Sequence, residues 1–258
     1  MKLPIYLDYN ATTPVEPDVA EAIIPYLREH FGNPSSAHVF GQRAKLAVAQ
    51  ARAQVAALIN ARADEIVFTG SATEANNLAL LGVARALERP AHLIISAVEH
   101  PAIAAPAKQL KEAGWAVTIV SVDGYGRVAP EVVRQALRPE TALVSVMHAN
   151  NEIGTLQPVA EIAALVKAHG AFLHTDAAQS AGKVPLDVSA LGVDLLTLAG
   201  HKFYATKGVG ALYVRAGTPI APLLTGGEQE RGLRPGTENV PAIVGLGEAA
   251  RLARERLP

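Results

Sequence analysis

The stretch LLTLAGHKFYATKGVG (195–210) sets His201 and Lys202 just past the end of an apolar run. A lysine in such a place can lose its proton and act as a nucleophile toward a carbonyl carbon. Four other apolar runs end on groups with chemistry of their own. EIVFTG (65–70) leads into Ser71 and Glu74. That is the spacing of a capping box at a helix start, where free N–H groups and the helix dipole favour an anion. HLIISAV (92–98) leads to His100, immediately before Pro101. TALVSVMH (141–148) leads to the paired amides Asn150 and Asn151. AFLHT (171–175) is followed by Asp176, with Gln179 three residues on. A carboxylate closing an apolar strand needs a partner to offset its desolvation.

Taken singly, each has an ordinary reading: a helix cap, a packing histidine, turn-forming asparagines, a paired structural carboxylate, a surface lysine. Taken together, an anion cradle, an imidazole, an amide, a carboxylate and a lysine fall on one predicted edge of one sheet. Ligands of open α/β sheets sit at the carboxyl ends of the strands. A pyridoxal phosphate site needs this set: a helix N-terminus for the phosphate, a carboxylate for the pyridinium nitrogen, polar contacts for the ring hydroxyl and a lysine for the Schiff base.

The elements that must position these groups are legible as alternation. Seven runs have the length and residue types of buried strands: 65–70, 92–98, 116–122, 141–148, 171–177, 194–200 and 210–215. Helical patterns lie between most of them, at 72–87, 101–113, 130–137 and 159–169. The alternation predicts an α/β fold, a mostly parallel sheet with helices on both faces. The run at 210–215 follows its predecessor too closely for a helical crossover, so it is expected to be antiparallel or at an edge. Residues 1–60, with the loop FGNPSSAH (31–38) between two helices, read as an arm packed on the main domain.

Composition narrows the function. Half of the 258 residues are hydrophobic, and 23 Lys and Arg balance 24 Asp and Glu. The chain can bury a substantial core, and no net field draws it to nucleic acid or to an anionic membrane. The N-terminus has no apolar core of signal-peptide length, and no later apolar stretch approaches a membrane span, so a cytoplasmic setting is expected. There is no cysteine, hence no disulfide, no thiolate metal site and no cysteine nucleophile in these residues; no metal is expected.

The chain resembles the cysteine desulfurases of the class V aminotransferase family. The likeness lies in YLDYNATTP, FGNPSSAH, TGSATEANN, EHPAI, MHANNEIGTLQP, HTDAAQSAGKVPLD, AGHKFYATKGVGALYVR and GGEQERGLRPGTENVPAIVG, between residues 6 and 245. The resemblance implies that Lys202 forms the Schiff base with pyridoxal phosphate, and that His100 stacks on the ring and moves protons. It implies that Asp176 pairs with the ring nitrogen and that Asn151 and Gln179 bond the ring hydroxyl. Ala72, through its N–H, Thr73 and His201 would hold the phosphate. Thr237 would reach the phosphate of a neighbouring subunit, which implies a homodimer. The implied activity converts L-cysteine, or a similar amino acid, to L-alanine. Sulfur passes to an enzyme cysteine and on to an acceptor protein, for iron-sulfur clusters or thiolated nucleotides. Other class V activities are the alternatives: selenocysteine or sulfinate lyase, transamination, or a non-catalytic remnant that binds the cofactor.

The resemblance also implies a division of the chain. Residues 1–60 would be the arm, 61–240 the large domain that binds the cofactor, and 241–258 the start of a helix leading to a small C-terminal domain. That domain, with the sulfur-accepting cysteine and an arginine for the substrate carboxylate, is expected to be missing here. Two positions depart from the family pattern. Ala199 stands where a serine often contacts the phosphate, an expected loss of roughly 1.5–3 kcal/mol of binding. Thr206 stands where a proline is usual, which is expected to loosen the turn.

Overall fold

The computed structural model describes residues 4–257. Residues 1–3 and Pro258, the ends of the arm and of the terminal helix named above, lie outside them. A seven-stranded sheet is built from β1 (Ile66–Thr69), β2 (His92–Ser96), β3 (Ala116–Val120), β4 (Thr141–Ser145), β5 (Phe172–Asp176), β6 (Leu195–Ala199) and β7 (Gly210–Val214). Its order is β1-β7-β6-β5-β4-β2-β3. The helices are α1 (Pro17–Arg28), α2 (Val39–Leu58), α3 (Ala72–Ala86), α4 (Pro101–Glu112), α5 (Pro130–Ala136), α6 (Val159–His169), α7 (Val188–Leu191) and α8 (Val240–Arg256). None of the described helices is long and apolar enough to cross a membrane.

Strands β3, β2, β4, β5 and β6 are parallel, and β7 is antiparallel to both its neighbours. The expected antiparallel strand is therefore found, but in the interior of the sheet. β1 takes the edge, because β7 turns back and leaves its far side open for the earlier strand. Strands β1, β2, β6 and β7 are buried throughout, as a sheet covered on both faces requires.

Alternation divides the side chains between two cores. Val67, Leu93, Ile95, Leu143, Leu195 and Leu212 face α3 and α4. Ile66, Phe68, Ile94, Val144, Leu173 and Leu196 face the other helices, and Val19, Val48 and Leu246 from α1, α2 and α8 join that core. Burying one such side chain is worth about 1.5–3 kcal/mol. A Cβ on Gly247 would lie 2.5 Å from Ala51 Cα, so α8 approaches α2 at a distance that only glycine permits.

Several expected strands stop early: 141–148 closes at Ser145 and 92–98 at Ser96. Beyond β4 the chain still follows β5, since the N–H groups of Val146 and His148 donate to the carbonyls of His174 and Asp176 at 3.2 and 2.9 Å. From that point it leaves the sheet to form the rim of a cavity.

Candidate active site

Register places the first two parts of the site. Thr69 at the end of β1 and Ala199 at the end of β6 both pair with Gly210 of β7. The start of α3 and the turn carrying Lys202 therefore flank one residue. A Cβ on Gly210 would lie 2.7 Å from the carbonyl carbon of Ser71 and 2.9 Å from the nitrogen of Ala72, so any side chain there would push the helix start away. Ser71 caps α3 by accepting the Glu74 N–H at 3.1 Å. The expected reciprocal bond is displaced by one residue: the Glu74 carboxylate accepts from the Gly70 N–H at 2.8 Å, and its other oxygen is held by Arg234 at 2.8 Å. Within the described residues the N–H groups of Ala72 and Thr73 have no acceptor, the condition for an anion site at a helix start.

Lys202 ends a short 3-10 turn after β6. Its ammonium group donates to the carbonyl of Asn10 and, at 3.0 Å, to that of Ala11. Partial burial lowers its pKa, opposed by the carboxylates of Asp8 and Asp176. The segment 8–13 is thereby a wall of the site. Asn10 O also accepts from Gln179 Nε2 at 2.9 Å, Thr12 Oγ1 lies 3.1 Å from His201 Nδ1, and Thr13 Oγ1 donates to the His201 carbonyl at 3.0 Å. His201 has its pKa lowered, first by burial and then by the lysines around it.

Asp176 closes β5 with its carboxylate almost wholly buried. Oδ1 accepts from the Ala178 N–H at 2.9 Å and Oδ2 from Asn76 Nδ2 at 2.7 Å. Burial raises its pKa, against the pull of these bonds and of His100 and Lys202. Two residues back, on the same face of the strand, His174 is fully buried between Ser145 Oγ at 2.9 Å and Thr197 Oγ1 at 3.1 Å. Burial pushes it down to about 3, so it is a neutral polar rung tying β4, β5 and β6 together. His100 caps α4, its Nδ1 accepting the Ala102 N–H at 3.1 Å; a neutral ring then carries its proton on Nε2. The adjacent Glu99 has its carboxyl sealed from water. Oε1 accepts from Ser96 Oγ at 2.6 Å and Met147 N–H at 2.8 Å, whereas Oε2 has no partner among the described residues. Burial pushes it up to about 8.

These elements enclose a cavity of about 580 Å³. Ala72, Thr73, His100, Asn151, Asp176, Gln179, His201 and Lys202 all line it. Thr237 does not: it is exposed, on the loop before α8. The amides of Asn151 and Gln179 also serve the protein, Asn151 Nδ2 donating to Glu152 at 2.7 Å and Gln179 Oε1 accepting from Lys183 at 2.9 Å. Asp8, Asn10, Ala11, Asn76, Met147 and Glu152 line the cavity as well without having been singled out from the sequence. Asn76 could have been, since it lies one helical turn after Ala72 and so shares its face. The donor set fits pyridoxal phosphate: unpaired helix N–H groups for a phosphate, a buried carboxylate for a ring nitrogen, and an amine whose proton is loosened by burial. Ala199 lines the same cavity with a methyl group only.

The aminotransferase class-V family pattern matches residues 5–257. The cysteine desulfurase IscS of Dictyoglomus turgidum is 50% identical over 254 residues, which cover 98% of this chain and 64% of that protein. A cysteine desulfurase of Trichormus azollae is 52% identical over 96% of this chain and 62% of its own length. The chain thus spans a little under two thirds of the length of these relatives. Among solved structures, a NifS-like protein superposes with a TM-score of 0.95 at 43% identity, covering 98% of this chain and 70% of its own. A structure described as SspA in complex with cysteine gives 0.93 at 42%, covering 98% and 73%. The chain belongs to the class-V aminotransferase family, whose members depend on pyridoxal phosphate.

Proposed function

We propose that this chain is the cofactor-binding portion of a cysteine desulfurase, which takes L-cysteine to L-alanine and passes the sulfur to a thiol. The observation that carries the reading is the meeting of Lys202, Asp176 and the open N-terminus of α3 in one cavity. The names of its relatives, cysteine desulfurases, support this choice of substrate. When bound, pyridoxal phosphate supplies an electron sink that lets a bond at the substrate α-carbon break. Asp176 would pair with the ring nitrogen. Ala72, Thr73 and His201 would hold the phosphate, and Asn151 and Gln179 would bond the ring hydroxyl. His100, its Nδ1 engaged at the helix cap, would have Nε2 left to move protons. Lys202 would be the covalent anchor and a base; its lowered pKa suits both tasks.

In this reading residues 61–240 bind the cofactor, 1–60 pack on them as an arm, and 241–258 lead onward. Thr237 serves the site of a second subunit in a homodimer, and a cytoplasmic role in sulfur supply for iron-sulfur clusters is the setting. No cysteine occurs in the 258 residues, so the sulfur-accepting thiolate is supplied from outside them. The test is reconstitution with pyridoxal phosphate, borohydride reduction and peptide mapping. The label should fall on Lys202 and vanish in Lys202→Ala, with the fold unchanged by circular dichroism. A label on Lys183 or Lys207 instead would overturn the assignment.

A further inference from the structure

The two protein partners of Asp176 are unlike. The Ala178 N–H on Oδ1 belongs to the chain's own turn, two residues on. The Asn76 amide on Oδ2 comes from another element, α3, and a hundred positions away in sequence. Asn76 is 0% exposed, and its own Oδ1 is buried with no partner among the described residues. Leaving an amide oxygen buried and unpaired is unfavourable, so the side chain is kept in this orientation by what its nitrogen does. The nitrogen's partner is a carboxylate, which makes the bond charge-assisted and short.

The groups facing Asp176 are of three kinds. His100, at the start of α4, and Lys202, after β6, favour its anion. Glu99, after β2, is a second carboxyl whose charge would oppose it. From α3 the group is Asn76, neutral at every pH, and its donation does not depend on whether His100 or Lys202 is protonated or displaced. We propose that Asn76 is a positioning residue whose amide fixes both the orientation and the charge of the Asp176 carboxylate, presenting an anion to the cavity before any ligand arrives. This rests on the reading of Asp176 as the partner of the cofactor's ring nitrogen. A protonated Asp176 would offer that nitrogen no negative charge, and the electron sink would be weakened at its source.

The test uses the 258-residue chain in three variants. Asn76→Ala removes the donor, Asn76→Asp keeps the size but places a second acceptor against Asp176, and Asn76→Ser restores a shorter donor. Titration of the Asp176 carboxyl is followed by 13C NMR, its signal assigned through Asp176→Asn, with circular dichroism confirming the fold. Asn76→Ala should raise the proton affinity of Asp176 about tenfold or more, with Asn76→Asp above it and Asn76→Ser between Ala and wild type. The absorption of bound pyridoxal phosphate should shift in the same order. An unchanged Asp176 titration in whichever of the Ala and Asp variants folds overturns the proposal. If the titration moves as stated while Asp176→Asn leaves the cofactor absorption unchanged, the hold of Asn76 on Asp176 stands, and it is the pairing of Asp176 with the ring that fails.

Discussion

Replacing Glu99 by glutamine should remove a loss of stability that the native protein suffers as the solution is made alkaline. In the unfolded chain Glu99 ionises near its usual 4.5; in the folded protein burial defers ionisation to about 8. As pH rises, the unfolded state gives up this proton first. The contribution to stability is full below about pH 4.5, falls through the window between the two values, and is constant above about pH 8. The slope inside the window is about 1.4 kcal/mol per pH unit, so about 3 kcal/mol separates a measurement near pH 5 from one near pH 7.5. Glutamine keeps an oxygen for Ser96 and Met147 but does not titrate. Its unpaired amide nitrogen costs roughly 1–3 kcal/mol at every pH, which displaces the curve without tilting it. Urea unfolding monitored by circular dichroism across this range should show the native protein losing about 3 kcal/mol relative to Glu99→Gln. Parallel curves would refute the reasoning, and with it the picture of a neutral carboxyl beside Asp176.

Other outcomes follow from the same geometry. His174, held down to about 3 by burial against a usual 6.5, cannot take the proton that the unfolded chain accepts. Stability should therefore fall as pH drops below about 6.5 and level off near 3, an acid limb that His174→Gln should lack in the same unfolding assay. Gly210→Ala drives a methyl group into the start of α3. It should cost about 1–3 kcal/mol of stability and weaken pyridoxal phosphate binding, measured by fluorescence titration; unaltered affinity would show that the helix start is not the phosphate cradle. L-cysteine given to the reconstituted 258-residue chain should yield neither sulfide nor alanine, because no cysteine of these residues can accept the sulfur. Cysteine-dependent sulfide with stoichiometric alanine would remove the need for a sulfur-accepting cysteine.

The sequence exposes the strand ends because buried parallel strands read as unbroken apolar runs, and a polar residue at such an end stands out against them. His100, Asp176 and Lys202 are legible for that reason, and the structure brings all three to one cavity. The place of β7 is not legible. A short connection dictates its direction, but whether its far side is paired depends on β1, more than a hundred residues earlier. Asn76 is legible only through its spacing to Ala72, because a polar residue in the second turn of a helix otherwise looks solvent-facing until the strand it covers is known. Glu99 is masked by the histidine beside it, since nothing local says which of two adjacent polar side chains turns inward. Segment 8–13 has no periodicity at all; its role lies in bonds to the turn at 201–204.

Those bonds join positions up to 192 apart in the chain, and this sets an order of events during synthesis. At about 5–20 residues per second, roughly 10–40 s pass between the appearance of Asn10 and that of Lys202. Through that interval the carbonyls of Asn10 and Ala11 lack the ammonium group that holds them, and the central strand β6 appears only at its end. Closing so long a loop is entropically unfavourable until the intervening sheet has folded. The wall of the cavity formed by residues 8–13 is thus set only once Lys202 has been made. A tag or fusion that restrains residues 8–13 should show itself as slow acquisition of colour rather than as a loss of fold.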